Sequence, residues 1–156
     1  MYRLILSIWL FILLYPNTSL RAEDKTEYHC LIEAIYFEAR SESYIGQLAV
    51  ANVILERVKH ENYPNTICKV VHEWKHYPLL HRCSFSYYCD GKKEIMYEKD
   101  SLSTAMNIAT LALEGAVVED VWGATHYHSR HVNPYWSNDM FYIGAIGEHL
   151  FYDSTH

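Results

Sequence analysis

Cys30-Leu-Ile-Glu-Ala-Ile-Tyr-Phe-Glu38-Ala-Arg-Ser-Glu42 is the stretch that sets the reading of this chain. As a helix turning about 100° per residue, it puts Leu31, Ala34, Ile35 and Glu38 on one side. Glu33 and Arg40 fall on the other side, where charge meets water. A carboxylate on an apolar face is costly unless it is paired, hydrogen-bonded or protonated. Glu38 is therefore either tethered, with Arg57 as a candidate partner, or kept with a raised pKa for proton transfer. The pattern alone leaves both readings open.

Working outward, the first helix is expected from about Thr26 to Arg40, with Ser41 to Gly46 as the turn. A second helix is expected from about Gly46 to Lys59. Leu48, Ala51, Leu55 and Val58 form its apolar stripe, and Val50, Val53 and Ile54 widen it, so most of its sides should be buried. Pro64-Asn-Thr66 predicts a turn and an N-cap for a short helix, Ile67–Glu73. Residues 74–100 show no clean period and are rich in aromatics, which predicts a long ordered loop of the kind that carries binding sites. Ser101 is the expected cap of a last helix, Leu102–Glu114, stopped by Gly115. Thr125–His128 and Ile146–Tyr152 alternate with partial period two and are expected to pair as a small antiparallel ribbon. The fold class read from these elements is α+β, one domain with a helical core, a small β element and one elaborated loop.

The first 22 residues stand apart. A basic start (Met1-Tyr-Arg3), the apolar run Leu4–Tyr15 and Pro16-Asn-Thr-Ser-Leu-Arg-Ala22 have the make-up of a secretory signal peptide. The run is short of the ~20 residues that span a bilayer. An uncleaved N-terminal anchor is the competing reading, because Leu20 is unusual three residues before a cleavage site. Taking 22 residues from 156 leaves 134, a length that suits one domain, residues 23–156, with its own core. Loss of Arg3 and Arg21 deepens the formal net charge from −6 to −8. Such a chain is a poor partner for nucleic acid or an anionic membrane. A carbohydrate polymer is not excluded, since aromatic faces and hydrogen bonds grip sugars, and there are 14 Tyr, 4 Trp and 5 Phe. No membrane domain is expected beyond the N-terminal signal, and the chain is expected to be a monomer. Four cysteines, 30, 68, 83 and 89, suggest two disulfides in an exported protein. Three pairings are open. A local bridge suits Cys83 with Cys89, and Cys30 with Cys68 would then tie the first helix to the region after the second.

Three constellations could carry chemistry. Glu38 on its apolar face, flanked by Tyr36 and Phe37, suits a general acid that protonates the leaving oxygen of a glycosidic bond. A hydrolase also needs a base or nucleophile opposite the acid. Glu42, Glu73, Asp90 and Glu148 offer none that is compelling, which favours non-hydrolytic cleavage in which one acid also serves as the base. His126-Tyr-His128, on a strand, would present both imidazoles on one face, as zinc amidases and peptidases do, but a third ligand and a base are missing. His131 lies three residues on. Phe85, Tyr87, Tyr88, Tyr127, Tyr135 and Trp136 could serve as sugar platforms or simply fill the core. There is no Gly-x-Ser-x-Gly elbow for a serine nucleophile.

Residues 31–58, with Glu38-Ala-Arg40-Ser-Glu42, Gly46-Gln47, Asn52 and Arg57, resemble the bacterial cell-wall hydrolases of the spore cortex-lytic enzyme family. The resemblance continues through Tyr63-Pro-Asn-Thr-Ile-Cys68, Cys83-Ser-Phe85-Ser86 and Cys89-Asp-Gly91. It closes with Ala124-Thr-His126-Tyr-His128, Pro134-Tyr-Trp136 and Ile146-Gly-Glu-His149-Leu-Phe151. The four-cysteine form is similar to the branch of Gram-negative bacteria and their phages. The resemblance implies a lysozyme-like or lytic-transglycosylase-like fold for the catalytic domain. It also implies cleavage of the β-1,4 bond between N-acetylmuramic acid and N-acetylglucosamine. No cofactor and no metal are expected, and the signal-like start sets the expected location as the periplasm or cell envelope. The resemblance puts the catalytic role on Glu38. Phe85, Ser86, His126, Tyr127 and Trp136 are the expected substrate-binding residues, and Arg57 and Glu42 are expected to support the acid. Ser41 stands where the family has Gly; a positive φ there would cost Ser about 1 kcal/mol.

Overall fold

The computed structural model describes residues 20–77 and 80–154. The expected signal run Leu4–Tyr15 lies outside the described residues. Four helices form the core: α1 (Leu20–Ala39), α2 (Tyr44–Lys59), α3 (Ile67–Val71) and α4 (Lys99–Leu113). A hairpin of β1 (Trp74–Tyr77) and β2 (Leu80–Cys83) follows α3. A second, three-stranded antiparallel sheet has the order β3 (His126–Ser129), β5 (His149–Asp153), β4 (Phe141–Ile146). Short 3-10 turns at Ser86–Cys89, Glu119–Val121 and Tyr135–Asn138 join these elements.

α2 is the keel. Its Ala51 and Ile54 pack with Leu31, Ile35 and Tyr36 of α1, with Val70 of α3 and with Ile108 of α4. Its Ala49 and Val53 face the other way, against Val121, Ala124 and Phe151. Two apolar faces on one helix explain why its stripe was wider than a single-sided helix requires. Ser43 caps α2 by accepting from the Gly46 amide at 3.2 Å. Thr66 caps α3 as expected, and Glu27 of α1 adds a carboxylate that accepts from the amides of Ile67 and Cys68. Cys30 and Cys68 join the same two helices, and Cys83 pairs with Cys89.

Several boundaries differ from the sequence reading. α4 starts at Lys99 with Glu98 at its N-cap, and Ser101 donates its hydroxyl to the Glu98 carboxylate instead of capping. Its end follows the expectation: Gly115 takes φ +97°, and the amides of Gly115 and Ala116 bond back to Ala112 and Leu111. The short helix stops at Val71, not Glu73. Part of the expected loop is the β1–β2 hairpin. The alternating run Ile146–Tyr152 is not one strand: Gly147, at φ +56°, turns the chain between β4 and β5. β5 is the central strand, paired with β3 on one side and β4 on the other.

Candidate active site

Glu38 occupies the last turn of α1, half-buried. From β3, Tyr127 donates its hydroxyl to Glu38 Oε2 at 3.3 Å. From the Ser86–Cys89 turn, the Tyr87 phenol lies near enough to feel the Glu38 charge. Burial raises the Glu38 pKa above its ordinary 4.5; the Tyr127 hydrogen bond and the Arg57 charge pull it back down. The Tyr127 phenol is pushed far upward, by burial first and the Glu38 charge second, so it remains a donor.

Arg57 lies close enough for its charge to act on Glu38. Its Nε donates to the Thr125 carbonyl at 2.7 Å, and its guanidinium lies over the rings of Tyr63 and Phe85. Among the described residues it forms no ion pair with Glu38, so the tethered reading of Glu38 gives way to a half-buried acid with a distant positive charge. Phe85 is 1% exposed and packs beneath Arg57 in the helical core. Its ring faces the guanidinium and the core, with no surface open to a sugar. Ser86, one residue on, is exposed at the start of the turn.

His126 and Trp136 lie together, with ring centroids 5.2 Å apart. His126 also meets the Tyr63 hydroxyl and Thr125 Oγ1. His128 is on the same face, but it is buried, and both its nitrogens are engaged, by the Ser129 carbonyl and the Tyr152 hydroxyl. Among the described residues, no three His, Cys, Asp or Glu side chains converge as a metal-binding group. Glu42 is engaged by another element. It lies in the turn after α1 and accepts from the Glu148 amide at 3.2 Å, gripping the β4–β5 turn.

The other carboxylates raised from the sequence are spoken for. Glu73 accepts from Ser84 Oγ at 2.8 Å, Asp90 from the Lys92 amide at 2.8 Å, and Glu148 pairs with Arg130 and His131. Glu33, expected in water, is largely buried instead, beside His72 at 3.2 Å and the Tyr87 hydroxyl at 3.3 Å. Its partners are 39 and 54 residues away, so no local spacing could have signalled them. A larger cavity of about 360 Å³ near the end of α4 contains none of the expected site residues.

Residues 41–152 match a family model described as Cell Wall Hydrolase. The chain belongs to this cell wall hydrolase family. The matched span takes in Arg57, Tyr127 and Trp136 and begins three residues after Glu38. Over 124 residues this cell wall hydrolase is 34% identical to a spore cortex-lytic enzyme of Halalkalibacterium halodurans, covering 78% of its own length and 33% of that protein. A spore cortex-lytic enzyme of Bacillus cereus is 43% identical over 50 residues, 32% of this chain and 19% of the relative. The chain thus spans a third or less of the length of these relatives. Its fold is similar to the catalytic domain of the Bacillus cereus SleB protein, with TM-score 0.65 and 28% identity, over 83% of this chain and 91% of that one. It is also similar to the catalytic domain of the germination-specific lytic transglycosylase SleB of Bacillus anthracis. There the TM-score is 0.67 and the identity 27%, over 89% of this chain and all of that one. A helical core with a small antiparallel sheet, as expected from the sequence, is the architecture shared with these domains.

Proposed function

We propose that this cell wall hydrolase cleaves peptidoglycan glycan strands between N-acetylmuramic acid and N-acetylglucosamine, as a lytic transglycosylase with Glu38 as its single acid and base. The observation that carries the reading is the setting of Glu38. It is a half-buried carboxyl with a raised pKa, hydrogen-bonded by Tyr127, while the neighbouring carboxylates are engaged elsewhere. The protonated carboxyl gives its proton to the glycosidic oxygen as the bond to the muramyl anomeric carbon breaks. The carboxylate left behind is steadied by the Tyr127 hydroxyl and by the Arg57 charge. It then takes the proton of the muramyl 6-hydroxyl, whose oxygen closes onto the anomeric carbon. The products are a 1,6-anhydromuramyl end and a free 4-hydroxyl; no water is consumed. Trp136, His126 and Ser86 are the groove residues in this reading. Two disulfides and the signal-like N-terminus support action outside the cytoplasm, in the cell envelope.

Digestion of purified sacculi, with muropeptides read by mass, tests the assignment. The wild type should release 1,6-anhydro ends and Glu38→Gln none. Full activity in Glu38→Gln would remove Glu38 from the chemistry, and reducing ends would replace transglycosylation with hydrolysis. A zinc amidase using His126 and His128 would lose activity to a chelator and release free peptides; unchanged glycan cleavage in chelator is the expected result.

A further inference from the structure

A cleft of about 290 Å³ is lined by Phe37, the neighbour of Glu38 in α1, and by Tyr87, which lies near enough to Glu38 to feel its charge. One wall is the stacked pair Phe37 and Tyr87, with ring centroids 4.8 Å apart. Arg40, Lys92 and Lys93 bring three cations to it, and Asp90 and Glu94 bring two anions. Arg40 leans toward Glu98 at 3.7 Å, and Lys92 pairs with Asp90 at 3.3 Å. Lys93 forms no ion pair among the described residues. The loop that carries the lysines is pinned at both ends, by the Cys83–Cys89 bridge and by the Tyr36 hydroxyl accepting from the Glu98 amide at 3.0 Å.

Resting on the peptidoglycan reading above, we propose that this cleft is a subsite for the carboxylates of the peptide carried by muramic acid. An N-acetylated glycan backbone is neutral, so cations gain nothing from the sugars themselves. The anions of this polymer are on its peptides. The protein carries net charge −6, which repels such a polymer, so cations gathered at one cleft offset that repulsion where the strand must dock. Position also fits. Phe37 in the cleft wall directly precedes Glu38, and the muramyl residue that reacts at Glu38 bears its peptide on the same ring. The Phe37–Tyr87 face gives the apolar part of the peptide a surface to lie on.

Co-sedimentation with intact sacculi, and with the same sacculi whose peptide carboxylates have been converted to amides with carbodiimide and ammonia, tests this in a Glu38→Gln background where nothing is cut. Lys93→Gln, and Lys92→Gln with Lys93→Gln, should bind intact sacculi about two- to fivefold more weakly, with the loss vanishing in high salt. Binding to the amidated sacculi should be the same for the lysine variants and their Glu38→Gln parent. Equal binding of all variants to intact sacculi, or the same loss on both polymers, would overturn the subsite. Release of 1,6-anhydro ends from intact sacculi by the Glu38 enzyme is a separate readout. Its absence would count against the glycosidase reading, while the binding difference would still decide the subsite.

Discussion

Burial raises the Glu38 pKa, and the Tyr127 hydrogen bond and the Arg57 charge draw it back down. In the proposed mechanism the acid first gives a proton and then takes one back, which calls for both influences. Two predictions belong to this residue. Activity should fall on the alkaline side through a limb set by Glu38, above the ordinary 4.5. Tyr127→Phe removes a hydrogen bond to the anion, so this limb should move to higher pH while the maximal rate drops; a pH–rate profile of both proteins measures it. Stability should answer in the opposite sense to that of a salt-bridged acid. With a raised folded pKa, the stabilising contribution is complete below the unfolded value and is lost as pH rises through the folded one. Glu38→Gln should therefore melt higher than the wild type near pH 7, and the gain should shrink toward pH 4.5. Equal melting temperatures across that range would contradict it. At Ser41 no strain is stored, since among the described residues only glycines take positive φ.

The element that most depends on one residue is the β4–β5 turn. Gly147 sits at φ +56°, and a Cβ there would run into the Glu42 carboxylate that grips the turn. Gly147→Ala should cost at least ~1 kcal/mol, measured by urea denaturation, from backbone conformation alone. Displacement of Glu42 adds to that. This turn also explains the misread strand. Ile146 to Tyr152 alternates well enough to pass for one strand, and a two-residue turn leaves little imprint on the pattern. β4 was invisible for a related reason: three of its six residues are exposed and a fourth is glycine, so only Ile143 and Ile146 pack on the core and its order leans on pairing with β5. α2 was legible because both its faces are buried and its apolar period is unbroken.

At the scale of the whole molecule, two covalent ties hold what the small core must organise. The Cys30–Cys68 bridge closes 38 residues and Cys83–Cys89 closes 6. Loop-closure entropy assigns them ~4 and ~2 kcal/mol. Replacing the first pair with Ala should lower stability by about twice as much as replacing the second, in denaturant melts of the oxidised protein. The second pair should instead show its effect at the cleft rim, as weaker binding to intact sacculi, because it anchors the loop bearing Lys92 and Lys93.

Local spacing was enough to place the helices, the Thr66 cap, the Gly115 stop and an acid on an apolar face. These rest on interactions within three or four residues along the chain, and residue type alone specifies them. The company Glu38 keeps was decided at long range. Tyr127 reaches it across 89 residues of sequence, Arg57 bonds the Thr125 carbonyl 68 residues away, and Glu33 finds Tyr87 54 residues away. Which cysteines pair, that Phe85 goes under the guanidinium, and which carboxylates are consumed by structure follow from how the helices and the sheet close on α2. One-dimensional periodicity carries which side of an element is apolar, but not what that side will meet.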